Sequence, residues 1–295
     1  ANSATTAAKA LAGSAAWLVG GGMVTMAFGA VGMLGSQRLG HLAGFAAISS
    51  SGTLLAAVGM GHNQLTGGLL YYLLSSTVAV SALFLLTDLI ERWRNDGFSV
   101  APYERKDDAP FLSADLVHSA SAPLDDDEQE VIGEVIPAAA AFLGLAFITC
   151  TLVVAGLPPL SGFIGKFALI HALLNPLGLG AAGARLAMSS WVMVGLLLVS
   201  GLFALVALTR VGVLHFWSAH DRAAPKLLVM EGLPVALLVL MCAALAWKAG
   251  PVLRYTEATA NALHAPAGYI RAVMSAQPVP NPTAAPAGSQ QESRP

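Results

Sequence analysis

Long apolar runs separated by short polar breaks set the pattern of this chain. Five runs are uninterrupted: Ala15 to Leu34, Leu42 to Met60, Leu69 to Ile90, Trp191 to Leu214, and Leu233 to Trp247. A helix that crosses a bilayer needs about 20 mostly apolar residues, so each run predicts a span, the last being short unless it extends at either end. A sixth region, Pro137 to Leu174, is longer and is broken at Gly156-Leu157-Pro158-Pro159. It reads either as two spans or as one crossing made of two half-helices around a loop.

Charge placement separates these two readings. With one crossing in the sixth region, the odd-numbered loops share a side. They hold Arg38, then Arg92, Arg94, Arg105 and Lys106, then Arg210, Arg222 and Lys226, against Arg185 alone in the other interior loops. That is the positive-inside pattern, and two crossings would scatter it. The terminal segments carry Lys9, Lys248, Arg254, Arg271 and Arg294 on the other side. The preferred fold is therefore all-α, a polytopic membrane helix bundle of about six crossings, one of them a broken helix.

Composition agrees. Hydrophobic residues make up 56% of the 295 and charged residues 11%, against about 25% charged in soluble domains; mean hydropathy is +0.67. A net charge of −2 gives no basic surface for nucleic acid. Cys150 and Cys242 both lie in apolar runs and read as buried thiols, without a disulfide framework or metal site. Residues 1–250 read as the bundle, with a polar loop at 92–134 carrying Asp125, Asp126, Asp127, Glu128 and Glu130. Residues 251–274 mix apolar and polar positions and read as a segment on the membrane surface. The Pro/Ala-rich tail up to residue 295 reads as disordered. The opening ANSATTAAK lacks the basic lead and short apolar core of a signal peptide, and the chain reads as a piece that begins mid-protein.

The chemistry concentrates in VVAGLPPLSGFIGKFALI, residues 153–170. Proline has no amide hydrogen and disfavours helix in the residue before it. Pro158 and Pro159 therefore free carbonyls near the end of the first half-helix, while Gly156, Gly162 and Gly165 permit tight backbone. Backbone breaks and charges at membrane depth occur inside a bundle or beside water. Lys166 follows the break by seven residues, with apolar flanks on both sides. Desolvation disfavours a charged amine, so a lysine in such a place can load and release a proton; the competing reading is a lysine snorkelling to the interface. His171 is five residues further, about 140° round the helix and roughly 7.5 Å along it, either a relay or the mark of the helix end. His41, after Arg38 at the mouth of the second run, is a candidate or an interfacial residue. Ser49 to Thr53 and Ser75 to Thr77 place hydroxyls in mid-span, which hold water or glue helices together. Asp88 and Arg92 form an i,i+4 surface pair, and Glu231 and Arg210 read as anchors at span ends. Neither a phosphate-binding glycine loop nor a nucleophile–base constellation is visible, and no cofactor is expected.

AGLPPLSGFIGKF (155–167) resembles the broken-helix lysine motif of the proton-pumping, antiporter-like membrane subunits of respiratory complex I and of the Mrp (also Pha or Mnh) multisubunit cation/proton antiporters. RLGHLAGFAAISSSGTLL (38–55) resembles a degraded form of the family's basic and serine-rich segment, and YYLLSSTVAVSALFLLTDLIER (71–92) the helix after it. RVGVLHFW (210–217) is similar to the end of the next-to-last core helix of the Mrp D-type subunits. The resemblance covers about residues 14–250. Family members have about fourteen helices in two inverted repeats, each with one broken helix, and this chain matches the last six.

The resemblance implies a membrane subunit of a Na⁺ or K⁺/proton antiporter, a transporter component and not an enzyme, in a multi-pass setting in a bacterial inner membrane with the other antiporter subunits as partners. It assigns a proton pathway to Lys166, His171, Ser50, Ser76 and His41, around a broken helix at Gly156, Pro158, Pro159 and Gly162. The alternative is a proton-pumping subunit of an NADH–quinone oxidoreductase or hydrogenase-linked complex. Two departures stand out: the family's mid-membrane histidines align near Ser50 and Ser76, and its basic pair is reduced to Gly40 and His41.

Overall fold

The apolar runs become helices, and most extend past their predicted ends. A computed structural model describes residues 2–96, 138–176, 186–216, 229–265 and 267–275. The polar loop from residue 97 and the tail from residue 276 lie outside the described residues, as do Arg105, Lys106, Arg185, Arg222, Lys226 and Arg294. The helices are α1 (Asn2–Gly35), α2 (Leu39–Met60), α3 (Asn63–Asp96), α4 (Ala138–Ala155), α5 (Ser161–Leu174), α6 (Met188–Phe216), α7 (Val229–Trp247), α8 (Ala249–His264) and α9 (Ala267–Met274), and no strand occurs among the described residues. Six of them (α1, α2, α3, α4, α6 and α7) are long and apolar enough to cross a membrane.

The sixth region is one crossing. α4 and α5 lie end to end along α3 and antiparallel to it. Going down α3, Gly68 meets Ala168, Tyr72 meets Gly165, and the Ser75 hydroxyl donates to Ser161 at 2.9 Å. Val78 and Ala79 then cluster with Val153, and Ala82, Leu83 and Leu86 with Leu143, Ala146 and Cys150. Lengths agree at 1.5 Å rise per residue: α4 and α5, with 18 and 14 residues, are ~27 and ~21 Å long against ~51 Å for the 34 residues of α3. The break falls near the middle of α3.

α1 and α2 form a close pair because small residues line their contact. A Cβ on Gly52 would stand 2.8 Å from the Gly22 carbonyl oxygen and 2.9 Å from the Met26 Cα. Without a hydrophobic drive between helices in lipid, such close backbone approach supplies the association. Gly52→Ala should therefore lower stability by about 1–3 kcal/mol through overpacking. Gly21→Ala, whose Cβ meets nothing within 4 Å, should not. Thermal denaturation of the two variants in detergent checks this.

Polar side chains tie the ends of the bundle. At the α1–α2 end, the Arg210 guanidinium donates to the Leu34 and Ser36 carbonyls at 2.9 and 2.7 Å, satisfying the last turn of α1. There Arg92 pairs with Asp88, as the spacing predicts, and also with Glu231 on α7 at 3.2 Å. These exposed pairs are worth ~1 kcal/mol or less. At the α2–α3 end, Asn63 donates to Asn261 at 3.1 Å and Thr66 pairs with His264 at 2.9 Å, docking α8 onto the start of α3. α8 buries Thr256 and Ala260 while Tyr255 and Leu263 stay exposed. Cys150 and Cys242 are free, buried thiols.

Candidate functional site

The break is built from carbonyls that lose their donors. In an unbroken helix the amides of residues 158 and 159 would bond the carbonyls of Val154 and Ala155. Both residues are prolines, so neither can. α4 instead ends in a left-handed glycine, Gly156 at φ 80°. The Gly156 amide donates to Leu152 and Val153 at 3.0 and 3.2 Å, and the Leu157 amide to Leu152 at 2.9 Å. This glycine cap serves the first two of the last four carbonyls.

Lys166 serves the other two. Its Nζ donates to Val154 O at 3.0 Å and to Ala155 O at 2.9 Å. The side chain reaches back from α5 across Gly156, where a Cβ would stand 3.1 Å from Lys166 Cε and 3.2 Å from Nζ. A cation at a helix C-terminus also complements the negative end of the helix dipole. The ammonium thus takes the place of the two proline amides, and all four terminal carbonyls of α4 are bonded. Among the described residues Lys166 makes no ion pair, so its charge is held by dipoles alone.

One face of Lys166 lines a cavity of about 30 Å³ shared with Ser49, Ser50, Tyr72, Ser75, Ser76 and Ser200. A water needs ~10–15 Å³ of such space, so there is room for about two. Ser50, Ser76 and Ser200 already donate to Ala47, Leu73 and Leu197 carbonyls at 2.9, 3.3 and 3.0 Å. Their free lone pairs call for donors, as water or an ammonium would supply. Tyr72 is buried, and the nearby Thr53 hydroxyl donates to the Ser49 carbonyl at 2.9 Å. The opposite face of Lys166 borders an apolar crevice of about 410 Å³ walled by α4, α5 and α6, including Phe163, Phe167 and Gly201.

The sequence-predicted residues divide accordingly. Ser50 and Ser76 meet Lys166 in the inner cavity, and Gly156, Pro158, Pro159 and Gly162 form its frame; the Pro158–Pro159 peptide is cis. His171 does not reach that cavity: it lines a separate cleft of about 470 Å³ with Asn63, Glu257 and Asn261 at the α2–α3 end. His41 is exposed near the start of α2, at the opposite end of the bundle. Sequence reasoning missed Tyr72, Ser200 and Gly201. Ser200 and Gly201 are two adjacent small residues in the middle of the run Trp191 to Leu214, and that was the available signal.

No protein-family model matches the chain. It is 45% identical over 262 residues to the D-type subunit of a probable K⁺/H⁺ antiporter of Rhizobium meliloti (strain 1021), covering 88% of this chain and 46% of that protein. It is 23% identical over 255 residues to the D-type subunit of a Na⁺/H⁺ antiporter of Alkalihalophilus pseudofirmus, covering 85% of this chain and 43% of that protein. The chain thus spans less than half the length of the curated relatives it matches. Its fold matches a chain in the structure of the Mrp complex from Dietzia sp. DQ12-45-1b, with TM-score 0.59 and 19% identity over 89% of this chain and 50% of that chain. With a broken helix, a lysine seated on its freed carbonyls and 45% identity over 88% of its length, the chain is similar to just under half of a D-type antiporter subunit.

Proposed function

We propose that this chain forms part of a membrane subunit of a multisubunit monovalent cation/proton antiporter in a bacterial inner membrane, and that Lys166 is a proton-carrying group within it. The observation that carries the reading is the seat of Lys166 between the break carbonyls and the hydroxyl-lined cavity. The ammonium is held by neutral dipoles, so proton release leaves no counter-charge stranded. Ser50 and Ser76, with Ser49, Ser75 and Tyr72, hold water against the lysine and stand where relatives of the wider family place histidines. His171 belongs to a second polar region at the α2–α3 end, and His41 is an interfacial residue. The names of the two relatives favour K⁺ or Na⁺ as the exchanged ion, and the remaining antiporter subunits are the expected partners.

Lys166→Arg tests this reading. A guanidinium keeps donors for both carbonyls but stays charged at all working pH values. The variant complex is expected to assemble normally in everted vesicles and to show no cation-driven proton movement above background. Wild-type antiport by that variant would sink the proton-carrying role.

A further inference from the structure

Lys166 needs open backbone on two flanks. The first is Gly156, which its stem crosses. The second is Gly201, at mid-length in α6, where a Cβ would stand 2.6 Å from the Ala155 carbonyl oxygen and 3.2 Å from Lys166 Nζ. Neither neighbour yields cheaply. The oxygen belongs to the backbone at the end of α4, and the ammonium is tethered to it at 2.9 Å and to Val154 O at 3.0 Å. A methyl at Gly201 therefore falls on the hydrogen bond that seats the lysine.

The crowding is not general to the glycines of this helix. Gly195, six residues earlier on the same helix, has nothing within 4 Å of its Cβ position. Glycine inside a helix costs ~0.5–1 kcal/mol relative to alanine, so a glycine with a crowded Cβ position marks a place where a close approach is needed. Gly201 also lines the crevice of about 410 Å³ that ends on Lys166. Lys166 lines both that crevice and the hydroxyl cavity, and Gly201 stands beside its ammonium on the crevice side.

We propose that Gly201 is a positioning residue for Lys166: its bare backbone makes the space in which the Ala155 carbonyl holds the ammonium between the two cavities. The proposal rests on Lys166 being the proton-carrying group. Gly201→Ala displaces the carbonyl, the ammonium or both. Displacements of about 1 Å at a reacting group can cost on the order of a hundredfold.

The experiment compares Gly201→Ala with Gly195→Ala in the full antiporter complex, assayed in everted vesicles with K⁺ and with Na⁺. Assembled complex is quantified so that rates are expressed per complex. Gly201→Ala is expected to assemble and to lose about tenfold or more in maximal antiport rate, with the half-saturating cation concentration unchanged. Gly195→Ala is expected to match the parent in both. A packing defect would reduce the amount of complex and leave turnover per complex intact. Parental turnover in Gly201→Ala overturns the proposal. So does an altered half-saturation with an unchanged maximal rate, and so does failure to assemble, which would assign Gly201 to helix packing. The underlying lysine reading fails separately, in Lys166→Arg.

Discussion

The Lys166→Ala variant is expected to lose antiport entirely and to denature at a lower temperature than the parent. The two losses have different origins. On the proposed function, transport ends because the group that takes up and gives back the proton is gone. Stability falls because Val154 and Ala155 lose their donors, and Pro158 and Pro159 have no amide hydrogen to offer in exchange. An unsatisfied buried carbonyl costs ~1–3 kcal/mol, so two give a ceiling of ~2–6 kcal/mol if no water replaces the ammonium. Water from the hydroxyl-lined cavity of about 30 Å³ can enter the place the side chain leaves, which brings the expected loss toward the lower end. Measurement of antiport in vesicles together with thermal denaturation of the purified complex separates the two effects. Lys166→Arg should keep the stability and lose the transport. If the alanine variant denatures at the parental temperature, water alone suffices at the break and the ammonium has no structural share.

The six crossings were legible because hydropathy reports burial in lipid directly, and the broken region because Pro158 and Pro159 cannot donate. Charge counts alone favoured one crossing over two. The packing of α4 and α5 in tandem along α3 is what a sequence does not contain, since it depends on which side chains of a distant helix face them. Ser75 and Ser161 illustrate this: each is an ordinary small polar residue in its own segment, and their hydrogen bond fixes the level of the break against α3. Lys166 was legible as a charge in an apolar setting, but its partners were not. A lysine among apolar neighbours suggests a missing carboxylate, whereas the groups that hold it are main-chain oxygens, which every residue carries and no sequence pattern marks. Tyr72 escaped notice for the same reason: an aromatic in an apolar run reads as core, and only the fold makes it line the cavity beside Lys166.

If the resemblance places histidines of other members at Ser50 and Ser76, as proposed, the serines change the chemistry of the interior. A neutral imidazole both donates and accepts and can carry the proton itself. A serine whose hydrogen is already given to the carbonyl of its own helix only accepts, and holds a proton carrier without becoming one. The cavity beside Lys166 is thus suited to water, with Ser50, Ser76 and Ser200 as fixed acceptors around it. On the proposed function, Lys166 is then the group in the cavity that holds the proton.

Gly162→Ala is expected to be the most disruptive glycine-to-alanine change among the described residues. A Cβ at Gly162 would overlap the Val153 carbonyl oxygen and stand 2.8 Å from its carbon. That oxygen is fixed, because it accepts from the Gly156 amide at 3.2 Å within the glycine cap of α4. The first turn of α5 therefore rests directly on the last turn of α4, and no side chain lies between them to rotate away. The methyl can be accommodated only by separating the half-helices. Separation pulls Ser161, the adjacent residue, from Ser75, and draws Lys166 off Val154 and Ala155. Alanine elsewhere in a helix gains ~0.5–1 kcal/mol over glycine, and Gly144→Ala in α4, whose Cβ meets nothing within 4 Å, should show that gain. At Gly162 the sign reverses. Overpacking costs ~1–3 kcal/mol, and the hydrogen bonds lost with it, at ~1 kcal/mol each, carry the total to several kcal/mol. Little assembled complex and a depressed denaturation temperature should result, with no antiport from what remains. A Gly162→Ala complex as stable as the parent would mean that the half-helices do not touch, and the seat of Lys166 would have to be rebuilt on other contacts.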